Sequence, residues 1–137
     1  MTDILLQPIG IVRSSLASRT GAPRQPDEGA PPASIELDPK WREGLDGLAV
    51  GDRIVLITWL DRTDRSTLRV QPRGDRTRPP QGVFSTRSPD RPNPIGLHDV
   101  TVTGVDGRRV DVDGLEAIDG TPVLDIKPVL ACRIADR

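Results

Sequence analysis

Between Phe84 and Leu97 the chain reads Phe-Ser-Thr-Arg-Ser-Pro-Asp-Arg-Pro-Asn-Pro-Ile-Gly-Leu, with prolines at positions 89, 92 and 94. Each proline removes a backbone donor, fixes φ and restricts the residue before it. No regular helix and no central strand passes through such a stretch, so it predicts a stiff, extended loop. Thr86, Arg87, Ser88, Arg91 and Asn93 are set in that frame, a group of donors suited to a carboxylate or phosphate. A rigid backbone carrying convergent polar groups is what a small-ligand site needs. The plain alternative is a solvated connector, because most proline-rich loops only join elements.

The remaining composition points the same way. Fourteen prolines and thirteen glycines in 137 residues demand many turns and leave little room for long helices. Trp41, Trp59 and Phe84 are the only aromatic residues. The core must therefore rest on Val, Ile and Leu, which favours β structure. A chain of this length is expected to form one domain, residues 1–137, with a real core. Its formal charge of −1 announces no global positive field toward nucleic acid. Arginine greatly outnumbers lysine, which occurs only at Lys40 and Lys127, but 20 acidic residues accompany the arginines. One cysteine, Cys132, and one histidine, His98, argue against a disulfide or a zinc cluster. No secretory leader or apolar run of membrane-spanning length is apparent, so a cytoplasmic protein without membrane or metal partners is expected.

Along the chain, residues 4–12 read as an opening strand and 15–32 as a polar, Gly/Pro-rich excursion; loops of that length are functional or disordered. Residues 33–37 read as a short strand. Residues 39–45 suit about one helical turn, with Asp38 as N-cap and Pro39 at the first position. Residues 53–60, Arg-Ile-Val-Leu-Ile-Thr-Trp-Leu, form a near-continuous apolar run, the best candidate for a buried central strand. Short strands are expected at 67–70 and 82–85, with a charged loop at 73–80 between them. Val100, Val102, Val110 and Val112 alternate on either side of Asp106-Gly107, a strong hairpin signal. Residues 123–126 close the pattern. About seven short strands with close turns predict an all-β protein, a closed or nearly closed barrel with long loops.

Candidate chemistry is sparse. Asp125 and Lys127 share a face of an extended strand at spacing two. They are either a surface ion pair or a pair in which Lys127 anchors a carboxylate and Asp125 orients an amine or hydroxyl. His98 follows the proline-rich loop and is a candidate general base, although a lone histidine is more often an ordinary core or surface residue. Trp41 and Trp59 read as core. No phosphate-binding P-loop, dinucleotide fingerprint or Ser-His-Asp set is present.

Four ordered stretches resemble a known family: Ile9-Gly10-Ile11-Val12-Arg13-Ser14, Pro23-Arg24-Gln25-Pro26, the segment Phe84 to Leu97, and Asp119-Gly-Thr-Pro-Val-Leu-Asp-Ile-Lys-Pro128. They occur here in the order seen in the TsaA-like (YaeB/TrmO-like) proteins, and the likeness covers nearly the whole chain. That family includes S-adenosylmethionine-dependent methyltransferases acting on N6-threonylcarbamoyladenosine in tRNA. The resemblance implies a small, usually homodimeric β-barrel that binds S-adenosylmethionine without a Rossmann fold. It places cofactor contacts at Gln25, Pro26 and Asp27, at Leu60 and Asp61, at Arg87 and Leu97, and at Asp113, Gly114, Leu115 and Glu116. Arginine suits the methionyl carboxylate, and acidic or carbonyl groups suit the ammonium and ribose hydroxyls. Arg24, Arg91, Asn93 and Lys127 are the substrate-side candidates, the arginines toward tRNA phosphate. Asp125 and His98 are the candidate bases. The related tRNA enzymes end an aromatic-rich strand near Phe-His, where this chain has Thr58-Trp59-Leu60-Asp61, and Val129 replaces a common tyrosine. A non-catalytic S-adenosylmethionine sensor is therefore the second expectation.

Overall fold

A computed structural model describes residues 3–15, 32–71 and 76–130. Six strands close into an antiparallel barrel in the order β1-β2-β7-β6-β3-β8: β1 (Gly10–Arg13), β2 (Ala33–Leu37), β3 (Arg53–Trp59), β6 (Ile95–Asp106), β7 (Arg109–Asp113) and β8 (Pro122–Pro128). Two further strands, β4 (Arg69–Val70) and β5 (Gln81–Gly82), pair only with each other as a separate ribbon. The expected all-β barrel is therefore present, and it is closed.

Alternation sets the core. Ile54, Leu56 and Thr58 of β3, and Val100 and Val102 of β6, face inward. They meet Val12, Ile35, Val110, Val112 and Val123 from the other staves. Each such side chain removed from water stabilises the fold by about 1.5–3 kcal/mol. β3 pairs on both edges, with β6 and β8, as its apolar run requires. The Asp106-Gly107 turn joins β6 to β7, with Gly107 at φ 62°, a conformation that favours glycine. Asp38 caps a 3-10 helix over Pro39–Leu45, its carboxylate accepting from the Lys40 N–H at 3.1 Å. Trp41 packs against the core from that helix.

A bulge on β8 has larger consequences. Ile57 lies opposite Asp125 while Thr58 lies opposite Val123, so Leu124 is an extra residue. The bulge resets the strand's alternation. Val123 stays in the core, and Asp125 comes to lie outside beside Ile57.

Four expectations are corrected. The first strand starts at Gly10 rather than Ile4, leaving Ile4, Leu5 and Leu6 exposed. Pro8 has no N–H to give a ladder, and β2 ends opposite Gly10 at Leu37. Residues 83–85 form a 3-10 turn, not a strand, and the strand at 67–70 shrinks to Arg69–Val70. Trp59 is not core: it lies on the outer face of β3, half-buried, with the Arg65 guanidinium 5.1 Å from its ring. Among the described residues, no helix is long and apolar enough to cross a membrane, and no His/Cys/Asp/Glu group could hold a metal ion.

Candidate functional site at one end of the barrel

Because every neighbouring pair of strands is antiparallel, alternate connections leave from opposite ends. The β2–β3 connection and the tight β6–β7 hairpin lie at one end. The end of β1, the start of β2, the described parts of the connection 60–94 and the connection 114–121 all lie at the other. The loop 60–94 and the turn 114–121 thus share one rim, although they are far apart in sequence.

The 60–94 excursion is braced by its own polar groups. Arg91 donates through Nη1 to the carbonyls of Thr86 and Ser88 and through Nη2 to that of Val83, each at 3.0 Å. Thr86 Oγ1 bonds the Val83 carbonyl and accepts from the Ser88 N–H, and Ser88 Oγ accepts from the Asp90 N–H. Asp90 Oδ1 accepts from the Asp64 N–H at 2.9 Å. Arg65 donates through Nε to the Pro92 carbonyl at 2.7 Å and through Nη2 to Asn93 Oδ1 at 3.3 Å. Leu60 N–H bonds the Pro94 carbonyl at 2.8 Å, closing the excursion at its base.

Of the donors that the loop carries, Thr86, Ser88, Arg91 and Asn93 therefore hold the loop itself. Arg87 does not. Its exposed guanidinium makes no hydrogen bond or ion pair with the described residues. An unpaired planar fork on a rigid loop is suited to a carboxylate or phosphate. Asp61 and Asp113 likewise present exposed, unpaired carboxylates among the described residues at the same rim.

Beneath the rim lies a polar pair in an apolar interior. Thr58 Oγ1 and His98 Nε2 are 2.8 Å apart and buried. Gly96 makes room for them, since a Cβ there would stand 2.6 Å from Thr58 Oγ1 and 2.9 Å from His98 Nε2. Burial, and then the positive charge of Arg87, pull the His98 pKa down to about 4, against a smaller upward pull from Asp99. The imidazole is neutral at physiological pH.

The other candidates divide clearly. Arg24, Gln25, Pro26 and Asp27 lie outside the described residues. Leu60 and Asp61 follow β3 at the rim, and Asp113 ends β7 there. Gly114 and Glu116 follow in the same turn, but the Leu115 side chain is wholly buried in the core, so only its backbone can face a ligand. Leu97 is on the outer face, 47% exposed and opposite Ile57, which in turn lies opposite Asp125. Asp125 pairs with Lys127 at 3.6 Å, both side chains more than half exposed, and accepts from the Ile126 N–H at 2.8 Å. His98 and Asp125 thus sit on opposite faces of the barrel wall and form no joint acid–base pair. Arg91, expected as a substrate contact, acts as a brace, with three of its N–H donors taken by backbone carbonyls. Lys127, opposite Val55, is set back from the rim.

Sequence reading missed Arg65, Thr58 and Gly96. Thr58 was findable: it is a lone hydroxyl at the inward parity of a strand whose other inward residues are Ile54 and Leu56.

Comparison with known proteins gives a consistent picture. The family model described as "tRNA-methyltransferase O N-terminal domain" matches residues 11–133. A "Probable S-adenosyl-L-methionine-binding protein" of Methanothermobacter thermautotrophicus is 42% identical over 126 residues, covering 92% of this chain and 90% of that one. An "S-adenosyl-L-methionine-binding protein" of Archaeoglobus fulgidus is 40% identical, covering 90% and 88%. The crystal structure of TrmO from Pseudomonas aeruginosa superposes with a TM-score of 0.76 at 32% identity, over 99% of this chain. This chain spans 61% of the length of that solved chain.

Proposed function

The chain belongs to the TsaA-like family of the tRNA-methyltransferase O N-terminal domain, and from that premise we propose that it is an S-adenosylmethionine-dependent methyltransferase. The observation that carries this reading is Arg87, a guanidinium without a partner among the described residues, on a loop whose other donors hold it rigid. The rim residues fit the cofactor: Arg87 for the methionyl carboxylate, Asp61 and Asp113 for the ammonium and ribose hydroxyls, Gly114 and Leu115 through their backbone. Leu97 offers apolar contact. Gln25, Pro26 and Asp27, by their place in the family's motif, complete the set.

When bound, S-adenosylmethionine supplies a methyl group on a cationic sulfonium, which departs as a neutral thioether as the acceptor's lone pair takes the carbon. The protein's task is then alignment and exclusion of competing water. We assign the acceptor as a nitrogen of a modified adenosine in tRNA, N6 of threonylcarbamoyladenosine. Such a urea-like nitrogen must lose its proton, and we assign Asp125 as the group that receives it. It shares an outer row with Ile57 and Leu97, roughly 10 Å from Leu97 across two strand spacings. His98, neutral and enclosed, shapes the floor instead.

We propose that this domain works as a homodimer in the cytoplasm. Support for the dimer comes from the outer face of β3 and β6, where Ile57, Ile95 and Leu97 form a partly exposed apolar strip. Ile95 is 42% exposed and Leu97 47%. A second reading, a sensor that binds the cofactor without catalysis, is favoured by the Lys127 ion pair that occupies Asp125.

Calorimetry with S-adenosylmethionine tests the cofactor, and absence of heat at millimolar ligand sinks both readings. Mass spectrometry of tRNA nucleosides from a deletion strain separates enzyme from sensor. Methylated threonylcarbamoyladenosine should disappear, and an unchanged level refutes the proposed acceptor.

A further inference from the structure

We propose that the β4–β5 ribbon is an RNA-gripping arm on which Phe84 is the stacking platform for one unpaired base. The inference rests on the RNA-methyltransferase reading above. It starts from a misplaced aromatic. Of the chain's three aromatic side chains, Trp41 packs on the core and Trp59 lies under Arg65. Phe84 is 80% exposed, and Leu68 is 63% exposed. The two are brought together by the ribbon: Arg69 lies opposite Gly82, and the Val83 N–H bonds the Leu68 carbonyl at 2.9 Å.

Phe84 is also held stiffly. It occupies the 3-10 turn Val83–Ser85, pinned by the buried Val83 and by Ser85 Oγ donating to the Gly82 carbonyl at 2.8 Å. Arg91 Nη2 grips the Val83 carbonyl. With the backbone fixed, a solvent-facing ring has only its own side-chain rotation to lose when a flat partner stacks on it.

Charge selects the partner. Between residues 60 and 94 the sequence holds eight arginines against four aspartates, in a chain of net charge −1. Arg69, Arg76, Arg78 and Arg87 are exposed. Gln71 Nε2 donates to the carbonyls of Arg76 and Arg78, at 3.4 Å each, folding that segment back onto the ribbon. An aromatic face among arginines matches a single-stranded nucleic acid, whose bases stack and whose phosphates pair. A second copy of the chain would instead bring two cationic ribbons together, which like-charge repulsion opposes.

The test measures affinity of the full chain for an RNA stem-loop with an unpaired purine-rich loop, and for the matching duplex, across a salt series. Phe84→Ala should weaken stem-loop binding about tenfold or more and leave the salt slope and the weaker duplex binding unchanged. Phe84→Trp should retain affinity. Arg76→Ala with Arg78→Ala should instead lower the salt slope by about 1–2. Calorimetric affinity for S-adenosylmethionine should be the same in all variants, which certifies their fold. Equal stem-loop binding by wild type and Phe84→Ala overturns the platform alone. Loss of a dimer by Phe84→Ala in sedimentation also overturns it, assigning Phe84 to a second copy. Wild-type protein that binds the cofactor but no RNA overturns both the arm and the RNA acceptor.

Discussion

Thr58 and His98 touch diagonally across the β3–β6 ladder, Oγ1 to Nε2 at 2.8 Å, over the space that Gly96 leaves open. Thr58 lies opposite Gly96, and His98 lies opposite Leu56, so the hydrogen bond joins diagonal positions. A buried imidazole whose Nδ1 finds no partner among the described residues must stay uncharged.

That requirement fixes a pH dependence. His98 has a folded-state pKa of about 4 against an ordinary value of 6.5. Above pH 6.5 the imidazole is neutral in folded and unfolded chains alike. As pH falls from 6.5 to 4 the unfolded chain takes up the proton first, and folding stability drops by up to about 1.4 kcal/mol per unit, about 3 kcal/mol in all. Below about 4 this contribution levels off. Urea titrations at pH 7 and pH 4.5 should show the loss in wild type, and His98→Asn should lack this share of it. Identical pH slopes in the two proteins would contradict the assignment.

Gly96→Ala should destabilise the barrel by about 1–3 kcal/mol, because the new methyl group meets Thr58 Oγ1 and His98 Nε2 inside contact distance. Thr58→Ala removes one of those atoms. The double variant should therefore be more stable than the sum of the two single changes predicts, a coupling readable in a denaturation cycle. Strict additivity would mean that the wall moves aside.

Arg87 and Arg91 should separate cleanly. Arg87→Ala is expected to reduce S-adenosylmethionine affinity by about 1.5–3 kcal/mol while leaving the melting temperature within a degree or so of wild type, since the side chain holds nothing described. Arg91→Ala takes the arginine donor from the carbonyls of Thr86 and Ser88, and one of three donors from that of Val83. It should lower stability by about 1–3 kcal/mol, and lysine should rescue it poorly because one ammonium cannot span that fork. Calorimetry and thermal melts of the four proteins decide it.

Arg65 latches the two ends of the excursion, through Pro92, Asn93 and the Trp59 ring. Arg65→Ala should accelerate limited proteolysis between residues 60 and 94 severalfold without altering cleavage elsewhere. Uniformly faster cleavage would point to global destabilisation instead.

Much of this molecule was legible in local patterns. Asp38-Pro39 announced the capped 3-10 helix, Asp106-Gly107 the hairpin, and the run from Arg53 the central stave. Local chemistry determines each of these: a side-chain cap, a glycine at positive φ, a strand apolar on both faces. The prolines at 89, 92 and 94 likewise determined a rigid, irregular loop, and the motif order pointed to the family. Tertiary structure alone decided which groups are free. Arg87 and Arg91 are identical in sequence terms, yet one meets three carbonyls and the other none, because that depends on how the loop folds back on itself. Trp59 was expected inside and lies outside under Arg65, for β3 faces the interior only at Ile54, Leu56 and Thr58. The bulge at Leu124, which leaves Asp125 outside, arises from pairing with β3. Register and loop closure join residues distant in the chain, and no local preference encodes them.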